Sequence, residues 1–380
     1  MKKILKAFIL CLALVFLAAC SQEGMGEEGK TIKESEKNNK DLQKYDYSFY
    51  QTFDTSITYI AYKSNKTEFD EESRFVEEEF TRLHKLYDNF HSYEDLVSVK
   101  EVNDMAGKGP VKVDKDLFNL VKFSIDNYEK TLGKVNIAMG RTIKLWTDAR
   151  NENQDSGSSE VEMPENDDKD IVLPSPEAIK DSGEHMDIKD IVLDEKNQTI
   201  EIKDPDMLID LGAVGKGYAT EIVAQKLIDR GVKYATINAG GNVRSIGTPG
   251  DGRTKWGVGI QNPEAKSKDF LEVLFTGPVS VVTSGDYQRY FEKDGVRYHH
   301  IIDPKTLYPG GDYNSVSILT ENSGLADYLS TAMFLSTKEE AEEILENYPE
   351  VGVLWYSKKE GKSSNEYMKQ FMKSENAKSQ

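Results

Sequence analysis

Cysteine is almost missing from this chain: among 380 residues only Cys11 and Cys20 carry a thiol. Cys11 sits inside an apolar run that reads as a cleaved leader, so Cys20 stands alone in the mature chain. Neither an internal disulfide nor a paired-cysteine metal site is then possible. Basic charge is short as well, with 48 Lys and Arg against 66 Asp and Glu and a net charge of −18. Loss of the leader, which holds three lysines and no acid, makes the balance more negative still. Nucleic acid is excluded as a natural partner on that ground. No sequence repeat with a period of roughly 20 to 50 residues is present, which excludes solenoids and propellers. Long apolar runs are also missing, except for the thirteen residues Ala7 to Ala19 behind Lys2, Lys3 and Lys6. That run is too short to span a bilayer comfortably and fits a secretory signal.

The leader ends Leu17-Ala18-Ala19-Cys20, the small residues and cysteine of a bacterial lipoprotein cleavage site, where the thiol receives diacylglycerol. Ordinary leader cleavage is the alternative. Residues 1–19 are expected to be a lipoprotein signal peptide, with Cys20 the lipidated residue at the extracytoplasmic face of the cell membrane. Residues 20–44 are expected to be a disordered tether, since 21–44 hold no aromatic residue and little apolar material. Residues 45–357 are expected to form the folded domain and 358–380 a polar tail.

Within the domain, YDYSFYQTFDTSITYIAY carries the Thr, Ile and Tyr of strands. Val76, Phe80, Leu83, Tyr87 and Phe90 recur at steps of four and three and predict one apolar helix face, with His84 off the stripe and solvated. The acidic, Ser-rich stretch 151–170 interrupts the pattern and reads as a disordered surface insertion. PSPEAI predicts a helix start, and IVLDEKNQTIEI a hairpin turning at Lys196 and Asn197. DLGAVGKGYATEIVAQKLIDRG predicts a Gly-rich turn and a helix stopped by Gly231, followed by the strand YATINAGG. Strands follow at KWGVGI and LEVLFTGPVSVV, and a last helix begins near Ser323. Strands and helices mix without strict alternation, which predicts an α+β fold of mixed sheets with packed helices.

Three stretches carry candidate chemistry. Glycines in DLGAVGKGYA let backbone N–H groups approach an anion at a helix start. It is not a Walker A loop, because Asp210 and Gly217 occupy positions that motif needs for Gly and for Ser or Thr. A plain strand-to-helix connection is the alternative. In ADYLSTA, Asp327 and Thr331 are four apart and share a helix face, and such hard oxygens suit Mg²⁺. The alternative is a first-turn acid serving the helix dipole. TSGDYQRYF places Thr283, Ser284 and Asp286 at a strand end shortly before His299 and His300, as a site wall or as simple strand-end caps.

DLGAVGKGYA, INAGGNVRSIG, WGVGIQNP, TSGDYQRYF, RYHHIIDPKT and ADYLSTA, in this order, closely resemble the ApbE family of FAD:protein FMN transferases, over roughly residues 45 to 356. The resemblance implies that FAD is the substrate, that Mg²⁺ is required, and that a threonine hydroxyl of an acceptor protein attacks the FMN-side phosphorus as AMP leaves. The acceptor is expected in an extracytoplasmic electron-transfer system. It further implies metal ligands at the Ala213 carbonyl, Asp327 and Thr331, and a proton acceptor at His300. FAD contacts are implied at Phe53, Tyr93, Asn136, Ala138, Met139, Asp210, Lys216, Thr283, Ser284 and Ile301. The chain departs from the family at Asn136, where Asp is common, at Gly140-Arg141, where Gly-Pro is common, and at Gly215, where Ala is common. A metal-dependent FAD pyrophosphatase and a noncatalytic flavin-carrying lipoprotein are the competing readings.

Overall fold

The computed structural model describes residues 42–154, 171–264 and 269–376. The expected signal peptide, Cys20, all but the end of the expected tether and residues 155–170 of the acidic insertion lie outside the described residues.

Alternating burial along the first strands builds a hairpin. β1 (Gln43–Thr52) pairs antiparallel with β2 (Thr55–Lys63), so the first strand starts two residues before the expected domain start. The tip is Phe53 and Asp54, both at positive φ, 55° and 49°. Side chains there cost on the order of 1 kcal/mol each and need external contacts to hold them. The hairpin opens an eight-stranded sheet continued by β3 (Tyr234–Ala239), β4 (Asn242–Gly247), β5 (Ser280–Gly285), β6 (Ser315–Thr320), β7 (Gly352–Ser357) and β8 (Gly361–Ser364). The strands lie in chain order and every neighbouring pair is antiparallel.

Helices inserted between these strands supply the second layer. α1 (Lys66–Tyr87) buries Val76, Phe80, Leu83 and Tyr87, the predicted stripe. Phe90 departs from it and is 57% exposed. The Asp88 carboxylate accepts the amides of Phe90 at 2.7 Å and His91 at 3.3 Å, which turns the chain outward past the helix end. α2 (Gly140–Gln154) takes in the first residues of the acidic insertion. α3 (Gly215–Asp229) packs on α1 and on α4 (Ser323–Phe334), and α4 lies across β5 and β6. Among the described residues no helix is long and apolar enough to cross a membrane.

Two further expectations are corrected. LEVLFTGPVSVV is two strands: Phe270–Thr276 pairs with Trp256–Gln261 in a separate ribbon, and β5 joins the main sheet after Gly277-Pro278. Proline lacks the N–H that an interior strand needs, and it breaks the run. The polar tail is not a tail through residue 376: β8 pairs with β7, and the helix Glu366–Lys369 follows. Met368 and Met372, 0% and 3% exposed, pack with Leu274, Leu319 and Leu354. Two apolar residues four apart are enough to anchor a segment whose composition is otherwise polar.

Candidate active site

The Gly-rich turn folds around the Leu211 carbonyl, which accepts the amides of Val214 at 3.1 Å and Gly215 at 2.7 Å. The same spacing recurs at Tyr218, whose amide donates to the Val214 carbonyl at 3.1 Å. The Gly217 amide, next in line to close onto Ala213, donates instead to Oδ2 of Asp327 at 2.7 Å. The Ala213 carbonyl thereby loses its helical donor. Oδ1 of Asp327 faces Lys216 Nζ at 3.2 Å, with the two side chains 24% and 8% exposed for Lys216 and Asp327 respectively. Asp327 is in the second turn of α4, whose cap is Asn322, so it serves the start of α3 rather than the dipole of its own helix.

Glycine at 217 is required by this approach, because a Cβ there would run into Asp327 and lie 2.5 Å from the Ser323 carbonyl. A second clamp lies beside the first. Glu221 of α3 accepts the Ser323 amide at 2.7 Å and Arg244 Nε of β4 at 3.1 Å. Thr331 follows Asp327 by one turn, is partly exposed, and its hydroxyl engages no described residue. A carboxylate, a free hydroxyl and an undercoordinated carbonyl are hard donors of the kind a small divalent cation takes, with room left for water and phosphate oxygens. His185, Asp204 and Asp206 form another ligand cluster, but Arg141 already pairs with Asp206 at 3.6 Å.

The hydroxyls of TSGD are engaged by neighbouring serines. Thr283 bonds Ser317 Oγ at 2.7 Å, and Ser284 bonds Ser330 Oγ at 2.7 Å. Ser330 in turn donates to the Asp327 carbonyl at 2.8 Å, so the end of β5 braces the turn of α4 that carries Asp327. Asp286 anchors the next turn, accepting from Asn314 Nδ2 at 3.0 Å and pairing with Arg297 at 3.4 Å.

Asp210 accepts the Gly212 amide and Asn89 Nδ2, both at 2.8 Å, and burial holds its carboxyl above the usual range. It caps the turn. Phe53 occupies the strained hairpin tip, where its amide donates to His84 Nδ1 at 3.3 Å and its ring meets Phe80, His84 and Tyr87. His84 is therefore a bracing residue and not merely solvated. Tyr93 donates to Asp88 Oδ2 at 2.6 Å, and burial followed by that bond pushes its phenol up to about 12.

Four expected flavin contacts are packed inward. Ala138 and Met139 are 0% and 4% exposed, Ile301 is 5% and Asn136 6%. Asn136 closes its own turn on the Ala138 amide at 2.9 Å and donates to the Met186 carbonyl at 2.9 Å. The side chains of Ala138, Met139 and Ile301 present almost no surface to a ligand in this conformation, since they pack into the core.

At His300, burial first, then Arg289, His299 and Arg150, push the imidazole down to about 3. Its Nδ1 is buried without a partner. His299 is held down at about 4, chiefly by burial, and stands edge-on to Phe334. The sequence reading missed Asn89, Glu221, Ser330, Arg150 and Arg289. Glu221, Ser330 and Arg289 lay inside quoted stretches and were passed over, because the contacts that single them out, Glu221 to Ser323 and Arg244, Ser330 to Ser284, and Arg289 to Asp54, reach across long sequence separations.

An α+β scaffold that sets hard oxygen donors and a lysine against a Gly-rich helix start defines a site suited to a cation-bridged phosphate group. Residues 53–355 match the model of the ApbE family, and the chain belongs to that family. It is 33% identical over 293 residues to the FAD:protein FMN transferase of Treponema pallidum, covering 74% of this chain and 76% of that protein. A FAD:protein FMN transferase of Klebsiella pneumoniae is 30% identical, over 66% of this chain and 74% of its own length. The fold matches the ApbE protein of Thermotoga maritima with a TM-score of 0.72 and 29% identity, covering 87% of this chain and 99% of that one.

Proposed function

We propose that this protein is an FAD:protein FMN transferase. It moves the FMN portion of FAD onto a threonine hydroxyl of an acceptor protein, with AMP as leaving group. The observation that carries the reading is the clamp of Lys216 and Gly217 on Asp327, inside a chain whose relatives bear that activity in their names. Ala213, Asp327 and Thr331 would hold Mg²⁺, which when bound neutralises charge on the diphosphate. Lys216 adds a mobile positive charge at the same edge. His300 takes the proton of the attacking hydroxyl at Nδ1, the nitrogen with no protein partner. The threonine oxygen bonds to the FMN-side phosphorus, the bond from that phosphorus to the bridging oxygen breaks, and the electron pair leaves with AMP.

Lipid anchoring through Cys20 at the outer face of the cell membrane belongs to the same proposal, and Leu17-Ala18-Ala19-Cys20 supports it. Cys20→Ser should release the protein from the membrane fraction, and retention equal to wild type would count against the anchor.

The decisive assay incubates the protein with FAD, Mg²⁺ and threonine-bearing proteins of the same cell surface, then seeks flavin fluorescence on a denaturing gel. Labelled protein with equivalent AMP supports transfer. AMP without label makes the protein an FAD pyrophosphatase, and neither product makes it a flavin carrier.

A further inference from the structure

The ribbon of Trp256–Gln261 and Phe270–Thr276 turns one side to the protein and leaves the other open. Val258, Ile260 and Leu274 point inward and pack with Val281, Leu319 and Leu354 of the main sheet. Alternation then sends Gly257, Gly259, Val273 and Phe275 outward. Phe270 and Phe275, 50% and 37% exposed, cover the two glycines. A Cβ at Gly259 would lie 2.4 Å from the Phe270 ring, and one at Gly257 3.6 Å from the ring of Phe275. The C-terminal segment widens this face. Leu274 bridges antiparallel to Met372, and the Phe275 amide donates to the Phe371 carbonyl at 2.8 Å. Phe371 therefore stands opposite Phe275 on the same side, with the exposed Lys373 at its border. The one acid of the two ribbon strands, Glu272, is on the inner side, where Lys362 pairs with it at 2.7 Å.

We propose that this outer face docks on an anionic lipid bilayer and so sets how the domain sits on its membrane. The inference rests on the anchoring of Cys20. A cluster of exposed phenylalanines free of acids is rare on a chain that is 30% charged, and rings bordered by lysine suit the zone between headgroups and acyl chains. Charge decides between a bilayer and a second copy of this chain. From Lys358 to Gln380 the sequence holds six Lys and three Glu, a local positive surplus in a chain of net −18. Lys255, which leads into the ribbon, and Lys373 are exposed and make no ion pair among the described residues. Two copies face to face would set these like charges against each other, whereas anionic headgroups attract them. α4 packs on the opposite side of the main sheet, against Val282 and Ile318. A docked ribbon therefore turns the Lys216–Asp327 clamp away from the lipid.

The test uses the lipidated mature protein in vesicles of phosphatidylcholine and phosphatidylglycerol. With Cys20 lipidated no free thiol remains, so a polarity-sensitive dye is attached through Val273→Cys on the ribbon or, as a control, through Gln225→Cys at an exposed position of α3. Nitroxide lipids should quench the dye at 273 and leave the dye at 225 unchanged. Phe270→Ser together with Phe275→Ser should lower the ratio of docked to undocked protein at least about tenfold. Lys373→Glu leaves the aromatic cover in place; it should weaken docking on the mixed vesicles but not on phosphatidylcholine alone, and added salt should act in the same way. No quenching at 273, equal quenching at both positions, or docking that survives both the Phe pair and Lys373→Glu overturns the proposal. So does a dimer in detergent that the Phe pair dissolves while the dye at 273 stays unquenched. Mass spectrometry that finds no diacylglycerol on Cys20 sinks the anchoring reading instead, and the ribbon then stands or falls by the same dye in the unlipidated mature chain carrying Cys20→Ser.

Discussion

The amide of Gly217 and the carboxylate of Asp327 meet at 2.7 Å across 110 residues of chain. One oxygen of Asp327 is thus spent on aligning two helices, while the other faces Lys216 at 3.2 Å. The same side chain fixes the scaffold and presents charge, and the two roles separate under substitution.

Asp327→Asn keeps an oxygen for the Gly217 amide and loses the charge opposite Lys216. Stability should fall by no more than about 1 kcal/mol in a urea titration, the usual net value of one such interaction. FMN transfer should fall at least about a hundredfold, as when a group stabilising transition-state charge is removed. EDTA should reproduce the defect in the wild type. Normal turnover of either would remove Asp327 from the metal-binding set.

Gly217→Ala acts on the scaffold instead. The added methyl meets Asp327 and the Ser323 carbonyl, so α3 and α4 must separate. Overpacking of this kind costs about 1–3 kcal/mol, and FAD binding by fluorescence quenching should weaken with it. A variant as stable as wild type, with unchanged FAD affinity, would show that the helices tolerate a wider spacing.

His300 sets a pH signature. With its folded pKa held near 3, it stays neutral throughout the neutral range, so single-turnover transfer should show no inflection near the ordinary histidine value of about 6.5. His300→Ala should still bind FAD yet transfer at least roughly a hundredfold more slowly. The linkage to stability has a definite sign. Keeping the imidazole neutral stabilises the fold fully above about pH 6.5, and that contribution drains away as pH falls toward the folded value. His300→Gln should therefore lose less melting temperature between pH 7 and pH 4 than wild type does. Parallel losses would exclude the shift.

The C-terminal segment should behave as core. Met368→Ala removes a fully buried side chain and should cost about 2–5 kcal/mol, and truncation after Ser357 should cost more. A truncated chain with the wild-type urea midpoint would return the segment to the status of a tail.

The elements legible in the sequence were those with local rules. Gly231 stops α3, Lys196 and Asn197 turn a hairpin, and the stripe from Val76 to Tyr87 faces inward. Asp210, Lys216, Asp327 and Ser284 were singled out through motifs; the structure joins Lys216 to Asp327 directly and Ser284 to Asp327 through Ser330, and sets Asp210 in the turn before α3. Met368 and Met372 were not legible as core, because two methionines in a polar stretch carry no periodic signal until the surface that receives them is known. Ala138, Met139 and Ile301 were read as ligand contacts because motif matching ranks residues by position, whereas burial is decided by the packing of distant elements. Arg150 and Arg289, which help hold the His300 imidazole down, escape for the same reason.

The main sheet is laid down in chain order, but the two halves of the clamp stand on either side of β3, β4, β5 and β6. Lys216 is threaded early and Asp327 late, and closing so long a loop is entropically slow until the intervening strands have paired. The clamp is therefore expected to close among the last events of folding. Any ligand that binds only the closed clamp would in turn pull the final docking of α4 toward completion by mass action.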